Sequence, residues 1–291
     1  MPLIEPLKFR KSGSTVVAPA EMEPGDQIPG AYISDVAGSN LLINGDMRIN
    51  QRLFAGGSLA AGAFGYDRWF ADTGGCNVSV STAGVISHVS GTLCQAIEAP
   101  RGAFGVTVTV RVDDLSGGNL TGSVGGVAFT ITPGTGARYA SVLAPASSAS
   151  GNLLVKLTGT GLTYRNVGVV RGADMSGSEQ RNQAVEQLLA SRYFFRGLPW
   201  PEGLNFCPYA ANAYFSWPII FAVPMRAVPA ASFSLSGYTA GGINTGVGTG
   251  GIDLMVNRNG ARILVQSSGA TTNAFFTFGS SYFTFDAEIT S

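Results

Sequence analysis

Apolar residues recur with a period of two through much of the chain. Val106, Val108, Val110 and Val112 alternate with Thr107, Thr109 and Arg111, and Leu153, Val155 and Leu157 repeat the arrangement, as do Val167 and Val169. Successive side chains of a strand point to opposite faces, so each run predicts a half-buried antiparallel strand. Gly-Gly, Ser-Gly and Asn-Leu-Thr-Gly punctuation separates the runs at roughly ten-residue spacing, which is sandwich or jelly-roll spacing. Residues 217–223 are strongly apolar, 224–229 break the run, and the Gly/Thr/Ser-rich stretch 234–251 predicts a long loop or hairpin. Leu254, Val256 and residues 263–265 resume strand character. At the end, Phe283, Phe285, Ala287 and Ile289 alternate with Thr284, Asp286 and Glu288, an amphipathic strand whose two carboxylates are expected on a solvated face.

Two segments depart from this period. Residues 178–195, SEQRNQAVEQLLASRYFF, predict a helix with Ser178 as N-cap and Arg181 where a capping-box acid would stand. Ala184, Val185, Leu188 and Leu189 form an apolar stripe ending at Arg192, and Gly197 and Pro199 terminate it. Such a helix either packs on a sheet or meets copies of itself about a three-fold axis. Residues 1–39 show no sustained period and are interrupted by Gly13, Pro19, Pro24, Gly25, Pro29 and Gly30. They are expected to be extended, either as a disordered tail or as an arm that becomes ordered on a partner. The fold class is therefore mainly β: an arm at 1–39, a jelly-roll β-sandwich at 40–176, a connecting helix at 177–197 and a C-terminal β-sandwich tip at 198–291.

Composition narrows the function. With 40 Gly and 14 Pro but 45% hydrophobic residues among 291, the chain is turn-rich yet apolar enough to fold. Eighteen Lys+Arg balance eighteen Asp+Glu, and charged residues are only 12%. Nucleic-acid binding needs a concentrated basic surface, which this composition lacks. No apolar run of about 18 residues is present to insert a membrane helix, and the first ten residues lack a signal-peptide core. Cys76, Cys94 and Cys207 have no close ligand pairs of zinc type; Cys76 and Cys94 could approach across neighbouring strands, but two buried free thiols are the expectation. A reducing cytoplasm without a secretory route is the expected place of synthesis.

Candidate chemistry is sparse. Asp113 and Asp114 are adjacent, so they face opposite sides of a strand or cap a turn. His88, the one histidine, lies in VISHVSG without a nucleophile elbow and is expected to point outward from a strand. The glycine clusters at 241–251 lack the lysine of a phosphate loop. No enzyme signal survives, and binding remains. Aromatic faces stack on sugar C–H surfaces, and Trp200, Tyr209, Tyr214, Trp217 and Tyr238 are the candidate glycan-binding residues. Trp69 reads instead as core.

The block at 40–69, NLLINGDMRINQRLFAGGSLAAGAFGYDRW, resembles the opening of a domain of bacteriophage tail fibres, head fibres and related virion spikes. There an N-LINGD-x-RI-x-QR block precedes, after a Gly/Ala-rich insert, a Tyr-x-x-Asp-Arg-Trp-like block. The matching residues are Asn40, Leu42, Ile43, Asn44, Gly45, Asp46, Arg48, Ile49, Gln51, Arg52, Tyr66, Asp67, Arg68 and Trp69, with Tyr66 standing immediately before Asp67. LKFRKSGSTVVAP resembles the leader that attaches such fibres, without the usual Gly-Glu-(Leu/Ile)-Ala-Leu-Asn continuation. The resemblance implies a carbohydrate-binding-module-like jelly roll through about residue 171 and a non-enzymatic, homotrimeric virion protein. Its arm, with Leu7, Phe9 and Lys11, would contact other virion proteins, and its β units would contact host-surface glycan. Asn44, Gly45, Asp46, Arg48, Gln51, Arg52, Asp67, Arg68 and Trp69 read as scaffold, with Arg48, Arg52, Asp67 and Arg68 forming an ion-paired cluster. A structural calcium would use Asp46 and Asp174; no cofactor is otherwise implied. The rivals are a capsid decoration or head spike without a receptor and, behind it, a polysaccharide depolymerase.

Overall fold

A computed structural model describes residues 7–12, 15–21, 40–100, 102–173, 181–197, 214–234, 237–240, 252–266, 275–278 and 282–290, and the protein is mainly β with one short helix. Strands β1 (Leu7–Ser12) and β2 (Thr15–Glu21) pair antiparallel, with a register shift between Arg10 and Lys11. The arm thus contains a hairpin that its broken pattern did not predict. Pro19 obscured it, but a strand whose second edge is unpaired tolerates proline because no ladder donor is lost there.

Nine strands form the central sheet: β3 (Gly57–Leu59), β4 (Phe70–Val80), β5 (Ile86–Ile97), β6 (Thr107–Ser116), β7 (Leu120–Val124), β8 (Val127–Ile131), β9 (Gly134–Leu143), β10 (Leu153–Thr158) and β11 (Leu162–Arg171). The order is β8-β7-β10-β5-β11-β6-β9, with β4 pairing β5 and β3 pairing β4. The long β5 divides its partners: residues 92–97 pair with β10, whereas 86–88 pair with β11. The sheet folds at this strand into two arms. Val108, Val110 and Val112 of one arm and Leu153, Val155 and Leu157 of the other belong to one buried cluster, so the arms face each other as a sandwich.

The helix α1 is shorter than predicted, Gln183–Ser191, and Asn182 is its N-cap, its side chain accepting from the Ala184 amide. Ser178 lies outside the described residues. After Arg192 the chain leaves the helix because its backbone is claimed by a sheet: β12 (Phe194–Gly197) pairs with the last strand, β19 (Tyr282–Asp286). The predicted stripe is also displaced. Val185 and Leu188 are about half exposed (46% and 45%), and the buried side chains are Glu186, Ala190 and Ser191.

The remaining strands are β13 (Tyr214–Ile220), β14 (Ala230–Ser234), β15 (Gly237–Ala240), β16 (Ile252–Asn257), β17 (Gly260–Gln266) and β18 (Phe275–Phe278). Among the described residues they form sheets β12-β19-β14, β13-β17-β16 and β15-β18. Phe283 and Phe285 of the first sheet pack with Ala261 of the second and with Phe221 and Met225, giving this second β unit its own core. As predicted, Phe283, Phe285, Ala287 and Ile289 are all buried.

Candidate functional site

The resemblance block forms no strand over most of its length, and side chains replace the missing ladder. Asn40 accepts from the amides of Leu42 and Val169 and donates to Val167 O, stitching the segment to β11. Gln95 on β5 does the same for Ile43, accepting from its amide and donating to its carbonyl, both at 2.8 Å. Asn44 takes a left-handed backbone (φ 58°) in the predicted turn, and its fully buried side chain donates to Ile49 O and Asp67 O while accepting from the Ile49 amide. Its carbonyl receives the indole N–H of Trp69, which is fully buried as core. A buried polar group left unpaired costs about 1–3 kcal/mol. Here the side chains of Asn40, Asn44, Gln95 and Trp69 are paired, which fixes the block without a sheet.

This scaffold also joins the two β units. Gln51 donates through its backbone and side chain to the Asp67 carboxylate, and through its side chain to Phe194 O of β12. Burial raises the Asp67 carboxyl to about 6, against the lowering effect of the Gln51 hydrogen bonds and the Arg52 charge. Arg52 reaches Asp286 at 3.1 Å and Glu288 at 3.5 Å, with its guanidinium 3.7 Å from the centre of the Phe194 ring. Arg68, 1% exposed, pairs with Glu288, donates to Ala96 O and lies 3.6 Å from the centre of the Tyr193 ring. Glu288 is itself 2% exposed at its side chain, which corrects the expectation that Asp286 and Glu288 are both solvated. The strand's polar face is covered by arginines from the block. The expected cluster of Arg48, Arg52, Asp67 and Arg68 is likewise redistributed: Arg48 pairs with Asp46, and the others turn toward the second unit or the core.

Sequence reasoning missed the other half of this junction. Glu186 of α1 is buried, accepting from the Asn44 amide and from Arg181 at 2.6 Å each. Glu98 receives Arg192 at 3.1 Å and the Tyr193 hydroxyl at 2.8 Å. Burial acts to raise the Glu98 carboxyl, but those two donors and the Arg192 charge outweigh it and hold it below its ordinary value.

Beside the junction is a cleft of about 500 Å³ between the units. The first unit contributes Gln51, Arg52 and Phe64, and the second contributes Phe194, Arg196, residues 230–232, Tyr282, Thr284 and Asp286. Arg196 lies over the Tyr282 ring at 4.4 Å, and the hydroxyls of Ser232 and Thr284 hydrogen-bond at 2.5 Å.

The catalytic and metal candidates are placed elsewhere. Asp113 is bonded to Arg111 and Asn166, while Asp114 accepts from the Gly136 amide. His88 does not point outward: it is fully buried, 3.0 Å from the Tyr164 hydroxyl and 3.0 Å from Gly91 O. A carbonyl only accepts, so Nε2 carries the proton and Nδ1 accepts from Tyr164. Burial lowers the His88 pKa. Cys76 and Cys94 are buried free thiols, raised by burial to about 11 and about 12, where a thiolate nucleophile is suppressed. Cys207 and Asp174 lie outside the described residues, and no group of three or more metal-ligating side chains occurs among the described ones. Of the glycan candidates, Trp200 and Tyr209 lie outside the described residues. Tyr214 and Trp217 are on β13, and Tyr238 is on β15 in another sheet.

No family model matches the chain, and no curated protein matches it either.

Proposed function

We propose that this chain is a non-enzymatic virion fibre or spike protein, homotrimeric, docked on a phage particle through residues 1–39 and binding host-surface glycan through its β units. The observation that carries this reading is the use made of the 40–69 block. Its fibre-like residues form the polar junction that fastens one β unit to the next, with Gln51, Arg52 and Arg68 all contacting the second unit or the chain leading to it. A projecting body of successive β units needs such a junction. The hairpin β1–β2 suits an anchoring role, because a two-stranded hairpin is marginal alone in water and offers edges to a partner sheet. Weak sugar sites on several chains would act together by avidity.

The test uses purified full-length protein on host cells, untreated and periodate-treated, alongside a variant lacking residues 1–35. Saturable binding that periodate abolishes supports glycan recognition, and absence of the truncated but still oligomeric protein from purified virions supports the anchoring arm. Folded protein that binds no cells favours a capsid decoration. Truncated protein still incorporated into virions refutes the arm.

A further inference from the structure

We infer that the cleft between the two β units binds a carboxylate-bearing saccharide, with Arg196 as the residue that reads the acid. This rests on the glycan-binding reading above and assigns it a site and a ligand class. The cleft's volume, about 500 Å³, falls within the usual range for small-ligand sites. Its chemistry is uneven in a specific way. Asp286 lies within ion-pair distance of Arg52, at 3.1 Å, and the Arg52 guanidinium is held over Phe194. Arg196, the second cation, has no carboxylate within ion-pair distance among the described residues and rests on the Tyr282 ring instead.

Among the described residues the cleft therefore presents one guanidinium without a carboxylate partner, and a planar guanidinium is matched to a carboxylate by paired N–H donors. Stacking on Tyr282 orients that fork without using its hydrogen-bond donors. The Ser232–Thr284 hydroxyl pair supplies groups that donate and accept, as sugar hydroxyls require, and Phe64 supplies an apolar ring at the wall. A neutral sugar would leave the Arg196 charge unanswered; a uronic acid answers it.

The probe pair is trigalacturonate and neutral galactotriose, titrated calorimetrically into full-length wild-type protein and into Arg196→Gln. The acid is expected to bind at least tenfold more tightly than the neutral trisaccharide. Arg196→Gln should remove that preference while leaving the unfolding midpoint unchanged, since its guanidinium pairs with no buried acid. Equal affinity for the two trisaccharides, no binding of the acid, or undiminished acid binding by Arg196→Gln overturns the inference. Periodate-sensitive cell binding without trigalacturonate binding would sink this site and leave the glycan reading standing. Loss of cell binding altogether would sink that reading first.

Discussion

Replacing Glu288 by Met tests whether the junction holds the two β units together. Glu288 accepts from Arg68 through the guanidinium and the backbone amide, and lies 3.5 Å from Arg52 Nη2. Its loss leaves the Arg68 cation 1% exposed with, among the described residues, only Ala96 O and the Tyr193 ring as partners. Removing one member of a buried pair costs about 3–5 kcal/mol, because the other charge remains desolvated. The retained carbonyl bond and cation–π contact offset part of this, so about 3 kcal/mol is expected. The reverse change, Arg68→Met, is milder at about 2 kcal/mol, since Glu288 keeps Arg52. The double variant should cost at least about 1 kcal/mol less than the sum of the singles, because no buried charge is then orphaned. Urea unfolding followed by tryptophan fluorescence measures all three, with Trp69 reporting from inside the first unit. A Glu288→Met cost below about 1 kcal/mol, or additive singles, would refute the buried pair as the fastening element.

Other outcomes follow from the same geometry. Asp67, raised to about 6 by burial, is more easily protonated folded than unfolded, so its contribution to stability grows as pH falls from about 6 toward 4. Asp67→Asn should flatten that part of a melting-temperature profile, and an unchanged slope would count against the raised value. His88 has the opposite sign: its pKa is lowered, so its stabilising contribution is full above the ordinary histidine range and is lost as pH falls below it. His88→Phe should lose this acid sensitivity, whatever it costs at neutral pH. At Gly91 (φ +91°), an added Cβ would meet Gly75 O at 2.3 Å and Cys76 Cα at 2.8 Å, whereas at Gly57 (φ +112°) it meets nothing within 4 Å. Gly91→Ala should therefore cost more than about 3 kcal/mol and Gly57→Ala about 1 kcal/mol by denaturant midpoint. Iodoacetamide should label Cys76 and Cys94 only after unfolding, as read by peptide mass spectrometry; rapid native labelling would contradict their raised pKa values.

Period-two alternation was enough to place β6, β10, the end of β11 and β19, because burial of one face is local information. It was not enough to say what covers the other face. On β19 and its continuation the apolar positions were legible, yet Glu288 was assigned to solvent because its partner Arg68 is 220 residues away in sequence. His88 failed for a related reason: Val89 offered an equally apolar alternative, and only Tyr164 and Gly91 make the inward register satisfiable. In the helix, Leu188 belonged to the expected apolar stripe, yet it is about half exposed and Glu186 is buried, because the turn at Asn44 presents an amide that Glu186 accepts from. These errors share a cause. A block that replaces sheet hydrogen bonds by side chains creates buried polar demand, and that demand is met by acids from distant elements.

The same cause explains why the cleft lies where it does. Asp286 and Glu288 are drawn to Arg52 and Arg68, so the acids of the last strand are engaged at the junction. Arg196, at the other strand of that pairing, lies opposite Thr284 rather than a carboxylate. Fastening the units with one pair of arginines thus leaves a third, partly buried arginine lining the space between them. A junction of this kind makes its own binding site, and the charge left over determines the ligand it selects.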